Sequence, residues 1–391
     1  MALKLARRRI LWGSPLPPTH SGVADYAAEL LPAVAAETAV RVLTPPGWVR
    51  PDDWPAGLEM VPEDQPAAED EIVLIHLGNN PHHLWLLPRL ETDRCVVVLH
   101  DAVLHHLLVE AAGRDADLGD GLEEAHGAAG AALARARANG HHGRLDPFYF
   151  PARRRFLEHA RAVVVHSDWA AEKIAGEVPG IPIGRVPLAV ADPQPVDRNA
   201  ARSALGIGPD ETVLMHLGFL SPEKGIEEIF TGVAAAVDAG IDLRFVVVGE
   251  GRETATLAAA AERLGLSDRV LVTGWIEADL FPGVPAAADL GVVLRTPSAG
   301  ETSAAVLRFL SCGVPVAVGG SRQFLEWPEK AAPRLTPGPS AAADLARLLG
   351  EVGGRVFAGR GQAARDAYEA SHRPEFVANR LTGFLDRLAG A

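Results

Sequence analysis

Residues 295–320, RTPSAGETSAAVLRFLSCGVPVAVGG, bring together residue types that can hold an anion next to a carboxylate. Pro297, Ser298, Ala299, Gly300, Thr302 and Ser303 are small enough for a ligand to approach the backbone closely. An apolar helix from about residue 303 to 312 should follow, ended by Gly313 and Pro315. The first turn of any helix leaves N–H groups without intrahelical partners, and the helix dipole adds partial positive charge there. Thr302 or Ser303 can cap this helix. Glu301 would repel a bare phosphate, so hydroxyls attached to a phosphorylated group are its more natural partners. The same residues also suit an ordinary strand-to-helix turn.

Other polar residues fall where apolar runs end. Leu217-Gly218-Phe219-Leu220-Ser221-Pro222-Glu223-Lys224-Gly225 follows one such run. Gly218 permits a tight exit, and Lys224 stands at the start of the next helix, where it adds a point charge to an anion site. His100-Asp101 follows another run: His100 can hydrogen-bond a hydroxyl or phosphate with Asp101 orienting it, or the pair can be a packed His beside a capping Asp. Gly22, with Ser21 before it, marks a loop-to-helix start. Asn79, Asn80 and His82 follow a third run and either line a site or close a turn. Gly249-Glu250-Gly251 lacks the third glycine of a dinucleotide fingerprint, since Thr254 occupies that place, so a nicotinamide enzyme is not expected. Asp115-Ala116-Asp117 lies in a polar Gly/Asp stretch and reads as a solvated loop, with no metal-ligand cluster elsewhere.

The elements that must position these residues follow from the alternation of short apolar runs with longer helical patterns. The runs are 9–12, 39–43, 72–77, 95–99, 162–166 and 183–188, then 213–217, 243–248, 270–272, 290–294 and 314–318. Ala-rich helical stretches, such as 22–34, 225–239 and 254–264, lie between them. This is the pattern of parallel βαβ units, repeated as two doubly wound sheets. The Pro- and Asp-rich stretch after residue 188 reads as a linker, giving an N-terminal domain over 1–192 and a second over 193–360. Residues 361–391 are helical, with Pro374 breaking or restarting the helix. Ligands of such sheets bind beyond the strand carboxyl ends, so the two halves should face each other across a cleft.

Composition narrows the function classes. A formal charge of −13 argues against nucleic acid as the main partner. No apolar run reaches the roughly eighteen residues a membrane span needs. Cys95 and Cys312 stand far apart in apolar surroundings, as buried thiols of a reducing compartment do, which points to the cytoplasm. Ten Arg and His residues from Arg135 to Arg161 face only Asp146 and Glu158 in that stretch. They form either a solvated helix face or a contact for an anionic acceptor or the inner membrane face.

Over nearly the whole chain the order of these pieces resembles the family 4 retaining glycosyltransferases of GT-B fold, also called group 1 glycosyltransferases. The stretches that carry the resemblance are SPLPPTHSGVADYAAELL, HLGNNPHH, VVVLHDAVLHHL, VVVHSDWAAEKI, LGFLSPEKGIEEI, VLVTGWI, AAADLGVVLRTPSAGETSAAVLRFLSCGVPVAV and FLEWP. The resemblance implies two facing Rossmann-like domains, a C-terminal helix crossing back to the first, and a nucleoside-diphosphate sugar held mainly by the second. It implies transfer of a hexosyl unit from a UDP- or GDP-sugar to an acceptor on the first domain, with retention and without metal or other cofactor. Lys224 and Gly22 would meet the diphosphate and its phosphates. Gly300, Glu301, Thr302 and Ser303 would meet the diphosphate and sugar, Trp275 and Ile276 would flank the base, and His100 would reach the transferred sugar. Asn79, Asn80, His82 and Asp101 would lie on the acceptor side. Two positions depart from the family pattern. Phe219 stands where many members have Arg, so Lys224 acts alone or Arg295 substitutes. Arg308 stands where many have a ribose-binding glutamate, and the GETS form with Arg resembles a subset of the family. Two rivals stay open: a sugar-nucleotide epimerase or hydrolase on the same fold, and a non-catalytic binder or partner subunit.

Overall fold

The computed structural model describes residues 9–52, 54–92, 94–113, 115–193, 197–251, 253–276 and 281–390. By internal contacts the chain divides into two units. The first runs up to Ala189 and includes Ala299–Thr302 and the chain from Pro374 onward; the second comprises Val190–Ser298 and Ser303–Arg373.

The first unit is built on seven strands: β1 (Arg9–Gly13), β2 (Val40–Thr44), β3 (Glu59–Pro62), β4 (Glu71–Leu77), β5 (Val96–Leu99), β6 (Ala162–Val165) and β7 (Ile183–Arg185). They form one parallel sheet in the order β3-β2-β1-β4-β5-β6-β7. The inner strands read as near-continuous apolar runs because helices cover both faces, and Leu11, Ile75, Val97 and Val163 meet in one core. The second unit has β8 (Thr212–Leu217), β9 (Leu243–Val248), β10 (Val270–Gly274), β11 (Leu290–Val293), β12 (Val316–Gly319) and β13 (Arg334–Leu335), again all parallel, in the order β10-β9-β8-β11-β12-β13. Leu214, Phe245, Val292 and Ala317 belong to its separate core.

Two strands escape the apolar-run reading. β3 is a four-residue edge strand ending in Pro62, and β13 has two residues. Short, proline-ended edges make few ladder bonds and carry little apolar signal. The helix Ile226–Asp238 packs against Ser340–Glu351 at Gly232, where an added Cβ would stand 2.9 Å from the Ala342 carbonyl oxygen. The second unit's start is fastened to its end. Arg365 donates to both carboxylate oxygens of Asp192 at 2.7 Å, and the Tyr368 hydroxyl donates to the Val190 carbonyl at 2.9 Å.

In both sheets the strand order reverses direction once, between β1 and β4 and between β8 and β11. At such a switch point the flanking loops leave in opposite directions and open a crevice beyond the strand carboxyl ends. The loops in question are those after Gly13 and Leu77 in the first unit, and after Leu217 and Val293 in the second.

The last helix, Pro374–Gly390, belongs to the first unit and packs on Gly22–Glu37. Phe384 lies on β7 so closely that a Cβ at Gly184 would meet its ring at 2.8 Å, and Arg161 donates to the Leu388 carbonyl at 2.8 Å. Phe384→Ala is expected to destabilise the first unit by about 3 kcal/mol, a typical cost for deleting a buried ring. Urea unfolding measures it, and a loss below about 1 kcal/mol would mean that this helix contributes little.

Candidate functional site

At the second unit's switch point, β8 exits through Gly218, whose φ of 110° favours glycine. The chain then turns through the short 3₁₀ segment Pro222–Lys224, and Gly225, with φ 62°, leads into Ile226–Asp238. Lys224 is 7% exposed, and its Nζ lies 3.9 Å from where a Gly218 Cβ would be. The ammonium therefore stands beside the strand exit. From the other side of the switch point, the Thr296 N–H donates to the Glu223 carbonyl at 2.8 Å. A Cβ at Gly225 would come within 2.9 Å of Leu294 Cβ, so the two loops interlock without spare room. The amide of Gln323 donates to the Ser298 hydroxyl, pinning the 295–298 stretch from the end of β12. Half-buried Arg295 belongs to this fastened stretch.

His216, next to last in β8, is fully buried. Its Nδ1 faces the Val292 carbonyl of β11 at 3.2 Å, and a carbonyl only accepts, so Nδ1 carries the proton and Nε2 the lone pair. Burial, then Lys224, push its pKa down to about 3, the Val292 bond opposes this, and Arg295 adds to the lowering. The imidazole is therefore uncharged at neutral pH, and Lys224 and Arg295 are the cations around it.

The helix Ala304–Ser311 starts at Ser303, whose backbone is extended, but the Ser303 hydroxyl makes no cap bond. That hydroxyl is buried, with no hydrogen-bond partner among the described residues. The expected capping by Thr302 or Ser303 side chains is thus not what the hydroxyl of Ser303 does. It lies at the helix start as an unused polar group beside first-turn amides. Arg308 is buried in the same helix with its guanidinium 5.4 Å over the Phe281 ring, a cation–π contact. Ala299–Thr302 belongs by its contacts to the first unit. Within that unit Gly300, with φ 76°, has the Trp169 ring 1.9 Å from where its Cβ would be, so only glycine fits; Glu301 and Thr302 are half-buried.

Backbone lacing continues past the ends of β8, β9 and β10. Gly218 N–H donates to Val248, Leu220 N–H to Glu250 and Gly249 N–H to Gly274, at 2.9, 3.0 and 3.0 Å. A Cβ at Gly249 would stand 2.3 Å from the Gly218 carbonyl oxygen, which accounts for the glycine without a dinucleotide. The lacing sets exposed Phe219 and Trp275 on extensions of β8 and β10, with Ile276 half-buried next to Trp275.

In the first unit, the Ser21 hydroxyl accepts from the Val23 N–H at 3.3 Å and caps Gly22–Glu37, so Gly22 is its first residue. Asn79 Oδ1 accepts from the His106 and Leu107 N–H groups at 2.8 and 3.2 Å, capping His105–Ala112 from a distance. Asn80 Oδ1 accepts from the His82 N–H at 3.0 Å and caps the turn Pro81–Leu86, leaving His82 exposed. The Asp101 carboxylate accepts from the Asn79 N–H at 2.7 Å. These residues serve the turn-closing alternative. The ring nitrogens of His100 face imidazoles: Nε2 lies 3.0 Å from His76 Nδ1, and Nδ1 lies 3.3 Å from His166 Nε2. Sequence reasoning missed His76, His166 and His216. The available signal was a histidine at or just past the carboxyl end of three apolar strands, where an apolar residue would otherwise serve.

The basic run is largely paired within the unit. Arg153 is buried against Glu177 and the Ala102 carbonyl, Arg155 pairs with Glu124 at 2.7 Å, Arg154 with Glu158 at 3.4 Å and Arg137 with Asp146 at 3.9 Å. The side chain of Asp115 lies outside the described residues. Among the described residues, no group of three or more His, Cys, Asp or Glu is arranged for a metal ion, and no helix is long and apolar enough to cross a membrane.

Two doubly wound units of this kind define the GT-B class. Solved structures share the fold over nearly the whole chain. Sucrose-phosphate synthase from Thermosynechococcus elongatus, 18% identical, matches 98% of this chain and 100% of that one with a TM-score of 0.69. HepE of Anabaena, crystallised with UDP and glucose, is 17% identical over 97% of this chain and 100% of that one, with a TM-score of 0.65. Residues 211–350 match the family model of glycosyl transferases group 1. A 2-deoxystreptamine glucosyltransferase from Streptomyces kanamyceticus is 35% identical over 167 residues, which span 42% of each chain.

The buried imidazoles make stability depend on pH. Burial brings His83 down to about 4 and His216 to about 3, against 6.5 for a free imidazole. Above about pH 6.5 both states are neutral. Below it the unfolded chain takes up protons that the folded chain refuses, so each histidine removes up to about 1.4 kcal/mol per pH unit until its folded pKa is reached. The Tm is therefore expected to fall between pH 7 and pH 5 in differential scanning calorimetry; an unchanged Tm would contradict these assignments.

Proposed function

We propose that this protein is a retaining glycosyltransferase that moves a hexosyl unit from a nucleoside-diphosphate sugar to an acceptor hydroxyl. The observation that carries this reading is the convergence, at the β8–β11 switch point, of Lys224, Arg295 and the start of the helix Ala304–Ser311. These groups offer concentrated positive potential where a doubly wound sheet binds ligands. A departing diphosphate needs such potential, because negative charge grows on it as the bond to the anomeric carbon breaks. The bonding pair leaves with the diphosphate oxygen, the acceptor oxygen bonds to the same face of the carbon, and the acceptor proton passes to the departing phosphate. Lys224 and Arg295 supply charge without a metal, and Arg295 takes the place of the cation absent at Phe219.

In this reading Gly218 and the Ser303 hydroxyl line the diphosphate, Gly300 and Thr302 shape the loop, and Glu301 grips sugar hydroxyls. Trp275 and Ile276 flank the base, with exposed Phe219 on the neighbouring strand extension. Gly22, at the start of its helix, serves phosphate, and Arg308 supports the helix Ala304–Ser311 through Phe281. His100 marks the sugar side of the first unit, with Asn79, Asn80, His82 and Asp101 shaping the acceptor side. UDP is the first nucleotide to try, since HepE binds it, and the S. kanamyceticus relative is named for an aminocyclitol acceptor.

Lys224→Ala is expected to lower transfer turnover about a hundredfold or more, as removal of one preorganised charge-stabilising donor does. Steady-state kinetics with UDP-glucose and a panel of polyol acceptors measures it. Turnover unchanged in the variant would remove Lys224 from the mechanism. Rapid, complete consumption of donor without acceptor would favour a hydrolase.

A further inference from the structure

Four neighbouring strands of the first sheet bring aromatic side chains to their carboxyl ends: Trp12 of β1, His76 of β4, His100 just after β5 and His166 just after β6. Successive ring centroids lie 4.1, 5.3 and 5.0 Å apart. Tyr26, from the helix Gly22–Glu37, lies over all three imidazoles at 5.7, 5.0 and 5.8 Å. Three rings joined through nitrogens can be read for proton positions from one fixed end. His166 Nδ1 faces the Val186 carbonyl at 2.9 Å, which only accepts, so Nδ1 holds a proton and, with the ring neutral, Nε2 the lone pair. His100 Nδ1 must then donate to His166, leaving His100 Nε2 to accept from His76 Nδ1. With the three rings neutral, all are Nδ1–H tautomers pointing the same way, and the row ends at His76 Nε2, which is buried and has no partner among the described residues.

We propose that His76 and His166 are positioning residues that hold the His100 ring in one orientation and one tautomer at the edge of the first sheet. This deepens the transferase reading and rests on it for the role of His100. With both ring nitrogens engaged, a ligand at His100 meets its ring carbons and main chain, which changes the expectation that an imidazole nitrogen bonds the sugar. A proton taken up at His76 Nε2 would charge that ring while its Nδ1–H goes on donating to His100. The titratable groups acting on His76 and His100 are the other imidazoles and His83, with Tyr26 overlying; the neighbouring Asp101 carboxylate accepts from Asn79. Burial, followed by the other imidazoles, disfavours the charged form of both rings.

Long-range proton–nitrogen NMR on the full chain labelled with ¹⁵N-histidine tests the row directly. The expected result is Nδ1–H tautomers for His76, His100 and His166, with no titration of His76 or His100 between pH 8 and 6. An Nε2–H tautomer of His100, or its separate titration near the free value, would overturn the proposal. In transfer assays, His166→Leu should lower kcat about tenfold and move the acid limb of the pH profile, with UDP affinity unchanged. His166→Gln, whose amide oxygen can accept from His100 Nδ1–H, should restore most of the loss. Wild-type kcat and pH profile in His166→Leu would also overturn it. If the wild type transfers no sugar, the functional reading fails while the spectra still decide the row, as they do if His166→Leu does not fold.

Discussion

Parallel pairing is the constraint on which the rest of this molecule depends. A parallel neighbour requires a crossover, so every strand sends its following loop to the same edge. Residues distant in sequence are gathered there: 218–225, 249–251, 275–276 and 295–303 follow successive strands of the second sheet, and 14–22, 78–82, 100–101 and 166–167 those of the first. The reversal of strand order then selects one loop pair in each sheet as the place with room for a ligand. Lys224 and Arg295 come from the selected pair in the second unit.

Charge at these edges is controlled through burial. Lys224 is nearly enclosed, and the imidazole beside it, His216, stays uncharged because burial, with the two nearby cations, outweighs its bond to Val292. A neutral imidazole fills the space under the loops without adding a further cation that would have to be balanced when no anion is bound. The first sheet uses the same device twice, with His76 and His100. In both places a polar ring takes a position that an aliphatic side chain could fill, and the hydrogen bonds it makes cross from one strand to the next. Such networks fix a single arrangement of the strand ends when all their bonds are made.

Much of this could be read from residue order. The long apolar runs gave the inner strands of both sheets, because strands buried on both faces carry continuous apolar sequence. Ser21 gave the start of its helix, and Gly313 with Pro315 gave the end of Ala304–Ser311. Edge strands β3 and β13 were not legible, since a strand of two to four residues has no periodicity to detect. At the site, Lys224 and the small-residue loop stood out by type and spacing. The histidine row did not, because its three members are separated by 24 and 66 residues and become neighbours only through strand order. The basic run could mislead for the same reason: its carboxylate partners Glu124 and Glu177 lie outside it in sequence. For Asn79 and Asp101 the sequence left a ligand-facing and a turn-closing or capping role open, and their bonds to helix and turn amides are visible only once β4 and β5 are side by side.

The central claim is that the β8–β11 switch point holds a nucleoside diphosphate. The most direct measurement is a crystal structure of the full chain grown with UDP. The diphosphate is expected at the first-turn amides of Ala304–Ser311, with Lys224 Nζ and the Arg295 guanidinium within hydrogen-bond distance of its oxygens. UDP bound elsewhere, or an empty switch point at saturating UDP, would contradict the claim.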